Sequence, residues 1–254
     1  MRIDINCDMG ESFGLWTMGN DADLMPYISS ANIAGGYHAG DAHVMRKTVL
    51  SARDHGVAIG IHCGFRDLEG FGRRYIQMTA QEVQDDVLYQ LGALQAFAAH
   101  AGLKVQHVKP HGALYMMAAQ DDALSRALIE ILGQVDPEPI LFCMEASATY
   151  AVARQMGYPV AVEFYADRDY DDTGQIIFTR KVDDVLNPQV VTARVMRALK
   201  EGSVITTQGH DIAVKVDTIC IHGDTPGAPQ LLKNLRQSLV EEGIEVGPIG
   251  TTQS

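Results

Sequence analysis

Short apolar runs alternate with longer amphipathic segments along nearly the whole chain. A short run of β-type residues that ends in turn residues is typical of a buried strand. The runs predict seven strands: Ile3–Cys7, Asn32–Ala34, Val57–Ile61, Val105–Val108, Ile140–Cys143, Val160–Phe164 and Val216–Ile221. Strands and helices that alternate about seven times without a linker predict a parallel sheet in one domain, either closed as a barrel or open.

Three of the segments between the strands carry clear helix signals. Thr79 and Glu82 match a capping box, in which each side chain satisfies a backbone donor of the first turn. Behind this box, apolar residues recur at a spacing of three to four: Val83, Val87, Leu91, Leu94 and Ala98. Two further helices are predicted to start at Asn187-Pro188 and Thr225-Pro226 and to end at Gly202 and Gly243.

Two segments depart from this alternation. Thr173 and Gly174 lie between β-rich flanks, which predicts a hairpin-like excursion over Asp167–Arg180. The last four residues of the chain are polar and are predicted to fray.

Length and charge narrow the class of protein. A chain of 254 residues matches one α/β barrel domain or a tight pair of smaller domains. The net charge is −12 and Lys and Arg are dispersed, which argues against nucleic acid or an anionic membrane as a partner. The start lacks the basic and apolar regions of a secretory signal, and no apolar run approaches the ~18 residues that cross a bilayer.

The four cysteines lie far apart and form no C-x-x-C pair; they are Cys7, Cys63, Cys143 and Cys220. Such spacing is typical of reduced thiols that pack as small apolar groups. We therefore expect a cytoplasmic enzyme or binding protein.

Ionisable residues and glycines gather after the predicted strands rather than before them. In parallel α/β sheets the carboxyl ends of the strands face one side, where ligands bind. The pattern brings the following residues to that side: Asn6, Asp8, Glu11, His38, Asp41, His62, Arg73, Lys109, His111, Asp167, Arg168, His222 and Asp224. We expect the histidines and aspartates of this set to line one pocket.

Several of these residues also have a structural interpretation. Asp8 and Asp41 either cap the turn or helix that follows them or serve the pocket. His62 and His222 each follow an apolar run, so each is either a buried core histidine or a pocket residue. Arg73 lies in a glycine-rich loop and either faces solvent or binds a substrate carboxylate. The residues expected to have surface, structural or packing roles are His55, His100, His107 and Tyr115.

Several common sites are absent from the sequence. It has no G-x-x-x-x-G-K-[ST] loop for ATP phosphates, no G-x-G-x-x-G after the first strand and no G-x-S-x-G for a serine nucleophile. Carboxylates, imidazoles and one lysine remain at the strand ends, with a metal ion left open. These groups are typical of hydrolysis by an activated water molecule.

Six blocks of the chain resemble, in order, the LamB/YcsF family: DINCDMGESFG, ANIAGGYHAGD, HCGFRDLEGFGRR, VKPHGALY, ADRDYDDTGQIIFTR and ICIHGDTPGA. The resemblance runs over nearly the whole chain, and no polar position of the blocks departs from it. It implies one domain over residues 1–254, folded as a (β/α) barrel of seven strands like those of glycoside hydrolases and polysaccharide deacetylases.

The resemblance also implies an activity, which is hydrolysis of the small lactam 5-oxoproline to L-glutamate coupled to ATP. The implied partners are the 5-oxoprolinase subunits B and C, and ATP with Mg²⁺ is expected to bind together with them. Neither nucleic acid nor a membrane is an expected partner, and self-association of the chain is left open.

In the mechanism that we predict on this basis, phosphorylation of the amide oxygen makes the stable lactam a better electrophile. Water then adds with the help of a general base, and the ring nitrogen leaves after protonation. Asp8 activates the water or binds a metal, Lys109 stabilises the developing negative charge, and Arg73 or Arg168 binds the substrate carboxylate. The predicted proton carriers or metal ligands are His62, His111 and His222. The other residues expected at the substrate are Asn6, Glu11, His38, Asp41, Asp167 and Asp224.

Two alternatives stay open at this point. The first is a metal-dependent deacetylase of an acylated sugar, because Asp8, His62 and His111 suit an Asp-His-His metal site. The second is a subunit that binds a metabolite or carbohydrate without catalysis. Whether the chain itself holds a divalent metal is left open as well.

Overall fold

The computed structural model describes residues 1–177 and 186–250. Within these residues, seven parallel strands close into a barrel, because the last of them pairs with the first. In barrel order they are β1 (Arg2–Met9), β2 (Ser30–Ala34), β3 (Ala58–Cys63), β4 (Val105–Pro110), β5 (Ile140–Cys143), β6 (Val160–Tyr165) and β9 (Thr218–Cys220). The predicted (β/α) barrel of seven strands is therefore confirmed.

Three short strands are additions to the barrel wall. β7 (Ser203–Ile205) and β8 (Asp211–Ala213) form an antiparallel hairpin, and β10 (Glu245–Val246) pairs with the start of β1. The apolar pattern did not predict this hairpin, because strands of three residues are too short to show an alternation.

The helices follow the barrel strands along the chain. They are α1 (Asp21–Leu24), α2 (Ala42–His55), α3 (Ala80–Ala101), α4 (Gly112–Ala118), α5 (Asp122–Val135), α6 (Ala148–Met156), α7 (Pro188–Glu201) and α8 (Ala228–Glu241), with a 3₁₀ turn at Met25–Tyr27. In the part of the chain described, none of these helices has the length and apolar character needed to cross a membrane.

The predicted helix boundaries are confirmed for α3 and α7. The capping box of Thr79 and Glu82 is present, and Asn187 caps α7 by accepting from the backbone N–H of Gln189. The start of α8 differs from its prediction, since the helix begins at Ala228 and not at Thr225-Pro226. The hydroxyl of Thr225 donates to Asp167 and is therefore not available as a cap.

Three barrel strands run further than the apolar pattern predicts. β1 continues to Met9, β3 to Cys63 and β4 to Pro110, so Asp8, His62 and Lys109 lie within strands. Their backbones pair across the sheet, with Asp8 opposite Asn32 and His62 opposite Lys109. Polar residues can extend a buried strand here because their side chains find partners inside the barrel. The last barrel strand is instead shorter than the predicted Val216–Ile221.

The hairpin-like excursion is confirmed for its described part. Tyr170 and Ile176 form an antiparallel bridge, and the N–H of Gly174 donates to the carbonyl of Asp171 in the turn between them. The last three residues of that prediction, 178–180, lie outside the described residues, and so do the four terminal residues that were predicted to fray. The four cysteines are buried and free, as expected.

The barrel interior contains a hydrogen-bonded set of buried polar residues, here called the polar column, which consists of Asp4, Asn6, Asn32, His107 and Thr218. Asn6 donates from Nδ2 to Thr218 Oγ1 at 2.8 Å, and the Thr218 hydroxyl donates to Asp4. Asn32 donates to Asn6 Oδ1 at 2.8 Å and accepts from His107 Nε2 at 2.8 Å. The column ends beneath Asp8, which accepts a further hydrogen bond from Asn32 at 2.8 Å.

Candidate active site at the mouth of the barrel

The carboxyl ends of the barrel strands surround a small cavity of about 40 Å³. The ionisable side chains that line it are Asp8, His62, Arg73, Lys109, His111, Arg168 and His222. The expected convergence of Asp8, His62, His111 and His222 on one cleft is therefore confirmed. The role of each residue stays a prediction.

Lys109 lies between two buried carboxylates. Its Nζ is 3.0 Å from Asp8 Oδ1 and 3.0 Å from Glu163 Oε1, and it also contacts Cys220 Sγ at 3.2 Å and Asn6 Oδ1 at 3.4 Å. Burial lowers the pKa of Lys109, but the acidic groups around it, led by Asp8, outweigh burial and raise that pKa well above its usual value. All three N–H groups have acceptors, so stabilising a substrate oxyanion would require Lys109 to give up one of these contacts.

Asp8 is held as a carboxylate. Burial raises the pKa of Asp8, but the charges of His62 and Lys109 outweigh burial and hold the pKa well below its usual value. Its Oδ1 accepts from Lys109 and Asn32, and its Oδ2 lies 3.8 Å from His222 Nε2. A carboxylate with so low a pKa accepts a proton poorly. The geometry therefore favours an orienting, electrostatic role for Asp8 over that of a general base.

His222 is oriented by a buried carboxylate. Its Nδ1 lies 3.0 Å from Asp167 Oδ1 and donates to that residue, which leaves Nε2 directed towards Asp8 and the cavity. Asp167 also accepts from Arg168 Nη1 at 2.8 Å. Burial raises the pKa of Asp167, but the charges of His222 and Arg168 outweigh burial and lower that pKa below its usual value. An Asp–His pair of this kind fixes the tautomer of the imidazole and presents its free nitrogen to a reactant.

Four buried side chains, here called the histidine cluster, lie beside the cavity: Glu11, His38, His62 and His111. One nitrogen or oxygen atom from each lies within 4.8 Å of those from the others. The rings of His38 and His111 stack with centroids 3.7 Å apart, and the His62 ring meets the His111 ring edge-on at 4.7 Å. The cluster differs from the metal set left open above, because it contains Glu11 and His38 in place of Asp8.

Two glycines make room for these stacked rings. A Cβ atom at Gly64 would lie 2.7 Å from His38 Nδ1, and one at Gly72 would lie 2.8 Å from His111 Cδ2. Burial and neighbouring histidines lower the pKa values of His38 and His111 well below the usual value, whereas burial and the charge of Asp8 raise that of Glu11. Burial therefore favours the uncharged form of all three residues.

The two candidate cations for a substrate carboxylate differ in access. Arg168 is buried and paired with Asp167, whereas the Arg73 side chain is 43% exposed and its Nη2 lies 2.9 Å from Asp224 Oδ2. The Arg73–Asp224 ion pair joins the loop after β3 to the loop after β9. The cavity beneath has room for only a few water molecules. A larger ligand therefore requires this part of the site to open.

An apolar hollow of about 410 Å³ lies on the other side of the histidine cluster. Glu11 and His38 contribute to its wall, and most of the remaining lining is apolar: Phe13, Trp16, Met18, Ala39, Leu68 and Phe71. Leu15 and Trp16 of the same loop are 100% and 72% exposed.

Two predicted site residues lie away from the cavity lining. Asn6 is fully buried in the polar column, where it supports Asp8 from below and does not face a substrate. Asp41 caps α2, because its Oδ1 accepts from Val44 N and its Oδ2 accepts from Gly14 N, both at 2.9 Å. The capping alternative for Asp41 is confirmed. The structural interpretation of His107 is confirmed as well, and its ring stacks on Phe142.

The sequence analysis missed two residues that touch the site. Glu163 pairs with Lys109, and it had a signal, since it is a lone charge inside the apolar strand VAVEFY. Tyr115 was expected to serve packing, and its ring is buried. Its hydroxyl, however, also donates to Glu163 Oε2 at 3.2 Å. No local signal marks this second role, because it depends on which strands face each other across the barrel.

Comparison with known proteins gives consistent relatives. A family model described as the LamB/YcsF family matches residues 3–254. The chain is 54% identical to the first A-type subunit of 5-oxoprolinase from Pseudomonas aeruginosa, over 96% of this chain and 98% of that one. The lactam utilization protein of Thermus thermophilus superposes with a TM-score of 0.91 at 39% identity, over 97% of this chain and 99% of that one.

A more distant likeness concerns the fold alone. The catalytic domain of a peptidoglycan N-acetylglucosamine deacetylase from Eubacterium rectale superposes with a TM-score of 0.50 at 12% identity, over 98% of this chain and 89% of that one. This likeness supports the deacetylase-like barrel that was expected from the sequence.

Proposed function

The chain belongs to the LamB/YcsF family, and on this premise we propose that it is the ring-opening subunit of an ATP-dependent 5-oxoprolinase. The proposed reaction hydrolyses the cyclic amide of 5-oxo-L-proline and yields L-glutamate. The observation that carries the proposal is that His222, oriented by Asp167, points at Asp8 across a cavity that Lys109 also lines. A cytoplasmic location and the use of ATP with Mg²⁺ are parts of this proposal.

His222 is the proposed general base. Its Nδ1 donates to Asp167, so the lone pair of Nε2 is free to accept a proton from water on the cavity side. Water adds to the lactam carbon after the amide oxygen has been phosphorylated at the expense of ATP. The protonated His222 then returns a proton to the ring nitrogen as the C–N bond breaks. Asp8 stabilises the positive charge that His222 carries between these two steps.

Arg73 is the proposed binding group for the substrate carboxylate. It is the more exposed of the two candidate arginines, and its partner Asp224 is an acid that a substrate carboxylate can replace. Opening of this ion pair also enlarges the entrance of the cavity. Arg168 stays with Asp167 in this scheme and holds the Asp–His pair in place.

Partner subunits B and C of the 5-oxoprolinase are proposed to cover the apolar hollow. Leu15, Trp16 and Leu68 expose apolar surface around it, and exposed apolar side chains that gather in one place are typical of interaction sites. A partner at this position would lie against Glu11 and His38 of the histidine cluster, next to the cavity. It could therefore supply groups for ATP that the sequence of this chain lacks.

The test is glutamate release from 5-oxoproline and ATP by the complex reconstituted with both partner subunits. His222→Asn should lower turnover by about 10²–10⁴-fold, because it removes the base and keeps the side-chain size close. Asp54→Asn, which changes an exposed carboxylate on α2, is the matched control and should keep full turnover.

Three outcomes would contradict the proposal. Full turnover by His222→Asn would remove the base assignment. Glutamate release by this chain without ATP and partners would remove the coupling. Release of acetate from an acylated sugar by the chain alone would favour the deacetylase alternative.

A further inference from the structure

The ring nitrogens of His62 and His111 face each other without a hydrogen atom to share. His62 Nδ1 lies 2.8 Å from the carbonyl oxygen of Lys109, and His111 Nε2 lies 2.7 Å from that of Phe71. A carbonyl oxygen only accepts, so these two nitrogens carry the ring protons and donate them. In neutral imidazoles, His62 Nε2 and His111 Nδ1 are then both acceptors, yet they lie 2.9 Å apart. Two lone pairs at this distance need a cation that both of them contact, either a proton or a metal ion.

Two neighbours of this pair also lack partners among the described residues. Neither ring nitrogen of His38 has a hydrogen bond, and neither has Glu11 Oε1, although the two residues are only 1% and 6% exposed. Glu11 Oε1 lies 3.6 Å from His38 Nε2 and 4.0 Å from His111 Nδ1. A proton shared by His62 and His111 would leave Glu11 and His38 unsatisfied, at the cost of buried polar groups without partners. A metal ion among the four residues satisfies all of them.

The donor atoms and their spacing decide which ion fits. Ligand atoms that each lie about 2.0–2.2 Å from one ion are about 3 Å apart, close to the separation of His62 and His111 and slightly less than those to Glu11. Three imidazoles and one carboxylate are typical of Zn²⁺ and its neighbours in the first transition row, whereas Mg²⁺ and Ca²⁺ prefer oxygen ligands. We propose that Glu11, His38, His62 and His111 form a binding site for a divalent transition-metal ion, for which Zn²⁺ is the probe.

The surroundings of the site fit this role. The carbonyls of Lys109 and Phe71 hold two of the rings through their outer nitrogens, the arrangement that usually orients histidine ligands. Asp8 Oδ1 lies 3.4 Å from His62 Nε2 but already accepts from Asn32 and Lys109, so it is a neighbour of the site and not one of the four ligands. The inference does not depend on the proposed substrate, because it concerns the chain alone.

The test uses the purified full-length chain, free of partner subunits, of affinity-tag histidines and of metal. Titration with Zn²⁺ in a calorimeter should show one ion per chain, and Co²⁺ should give a visible absorption band. Glu11→Gln and His38→Ala should each weaken Zn²⁺ binding by at least about 10- to 100-fold, the loss seen when even an outer partner of a ligand is removed. His55→Ala, which removes an exposed histidine on α2, is the control and should bind as the unaltered chain does.

Each outcome decides for or against the site. Equal Zn²⁺ affinity in the unaltered chain and in both cluster variants would overturn the proposal, and so would an absence of stoichiometric binding by the unaltered chain. If a variant does not fold, X-ray absorption at the zinc edge of the loaded, unaltered chain takes its place. About three imidazoles and one carboxylate as ligands would support the site, and a sulfur ligand would overturn it. Because no substrate is involved, these results stand apart from those of the 5-oxoprolinase test.

Discussion

The polar column and the histidine cluster are both buried inside the same barrel, but they differ in their hydrogen bonds. In the column, Asn32 donates to Asn6 and accepts from His107, and the Thr218 hydroxyl donates to Asp4. In the cluster, polar atoms of Glu11 and His38 have no partner among the described residues. Buried polar groups in folded proteins nearly always have partners, so those without one indicate a missing ligand. The contrast separates polar residues that build the barrel from those available for chemistry.

Two histidines show the difference most clearly. His107 and His38 are both buried and both stack on another ring. Burial and the charge of Lys109 lower the pKa of His107 to about 3, and its Nε2 donates to Asn32. His107 is therefore a neutral structural residue with an assigned partner. Burial likewise lowers the pKa of His38, but neither of its nitrogens has a partner in the described part of the chain.

Lys109 joins the two regions, and Lys109→Met should have the largest effect on stability. Asp8 and Glu163 would stay buried and lose the ammonium group that lies 3.0 Å from each of them. Breaking a buried ion pair in this way costs about 3–5 kcal/mol of the free energy of unfolding. Urea unfolding at neutral pH measures the loss. Lys104→Met removes an exposed ion pair with Glu138 and should change stability by less than about 1 kcal/mol. Equal losses in both variants would show that Lys109 does not link the two regions.

The same substitution at two glycines sharpens the comparison at the next level. A Cβ atom at Gly60 would lie 2.1 Å from His107 Cδ2, and one at Gly64 would lie 2.7 Å from His38 Nδ1. Gly60→Ala should cost about 1–3 kcal/mol of unfolding free energy, because His107 is held by the column and cannot move without strain. Gly64→Ala should cost less but should weaken Zn²⁺ binding, because it displaces a proposed ligand. Thermal unfolding and Zn²⁺ titration of both variants give the result, and the reverse pattern would contradict the contrast.

Asp167→Asn tests the ionised pair at the mouth through pH. The pKa of Asp167 is lowered in the folded chain, so its contribution to stability is complete above the unfolded value of about 3.9 and is lost as pH falls towards the folded value. Below about pH 4, the unaltered chain should lose up to about 1.4 kcal/mol more per pH unit than the variant does. Urea unfolding at a series of acidic pH values measures the two slopes. Identical slopes would show that Asp167 is not held as an ion by His222 and Arg168.

Trp16→Ala should have the smallest effect on the chain itself. The side chain is 72% exposed, so the change in unfolding free energy should stay within about 0.5 kcal/mol. Binding to the partner subunits, followed by analytical ultracentrifugation, should weaken if they cover the apolar hollow. Val240→Ala on α8 removes a similarly exposed apolar side chain away from the hollow and should leave assembly unchanged. Equal assembly by both variants would place the partners elsewhere.

The sequence by itself determined the barrel strands, the main helix boundaries and the side of the sheet that carries the chemistry. Strands and helices are read from local periodicity, and caps such as Thr79 with Glu82 act within one turn. The gathering of Asp8, His62, His111 and His222 followed as well, because parallel strands all end on the same side.

Only the tertiary structure decided what each of these residues touches. The assignment of Asn6 and His107 to the column, the pairing of Glu163 with Lys109 and the stacking of His38 on His111 all join residues that are far apart in the chain. Such contacts depend on how the strands stagger as the barrel closes, and this geometry sets which side chains meet across the interior. Local patterns do not contain that information, so the separation of structural from available polar groups becomes visible only in the folded chain.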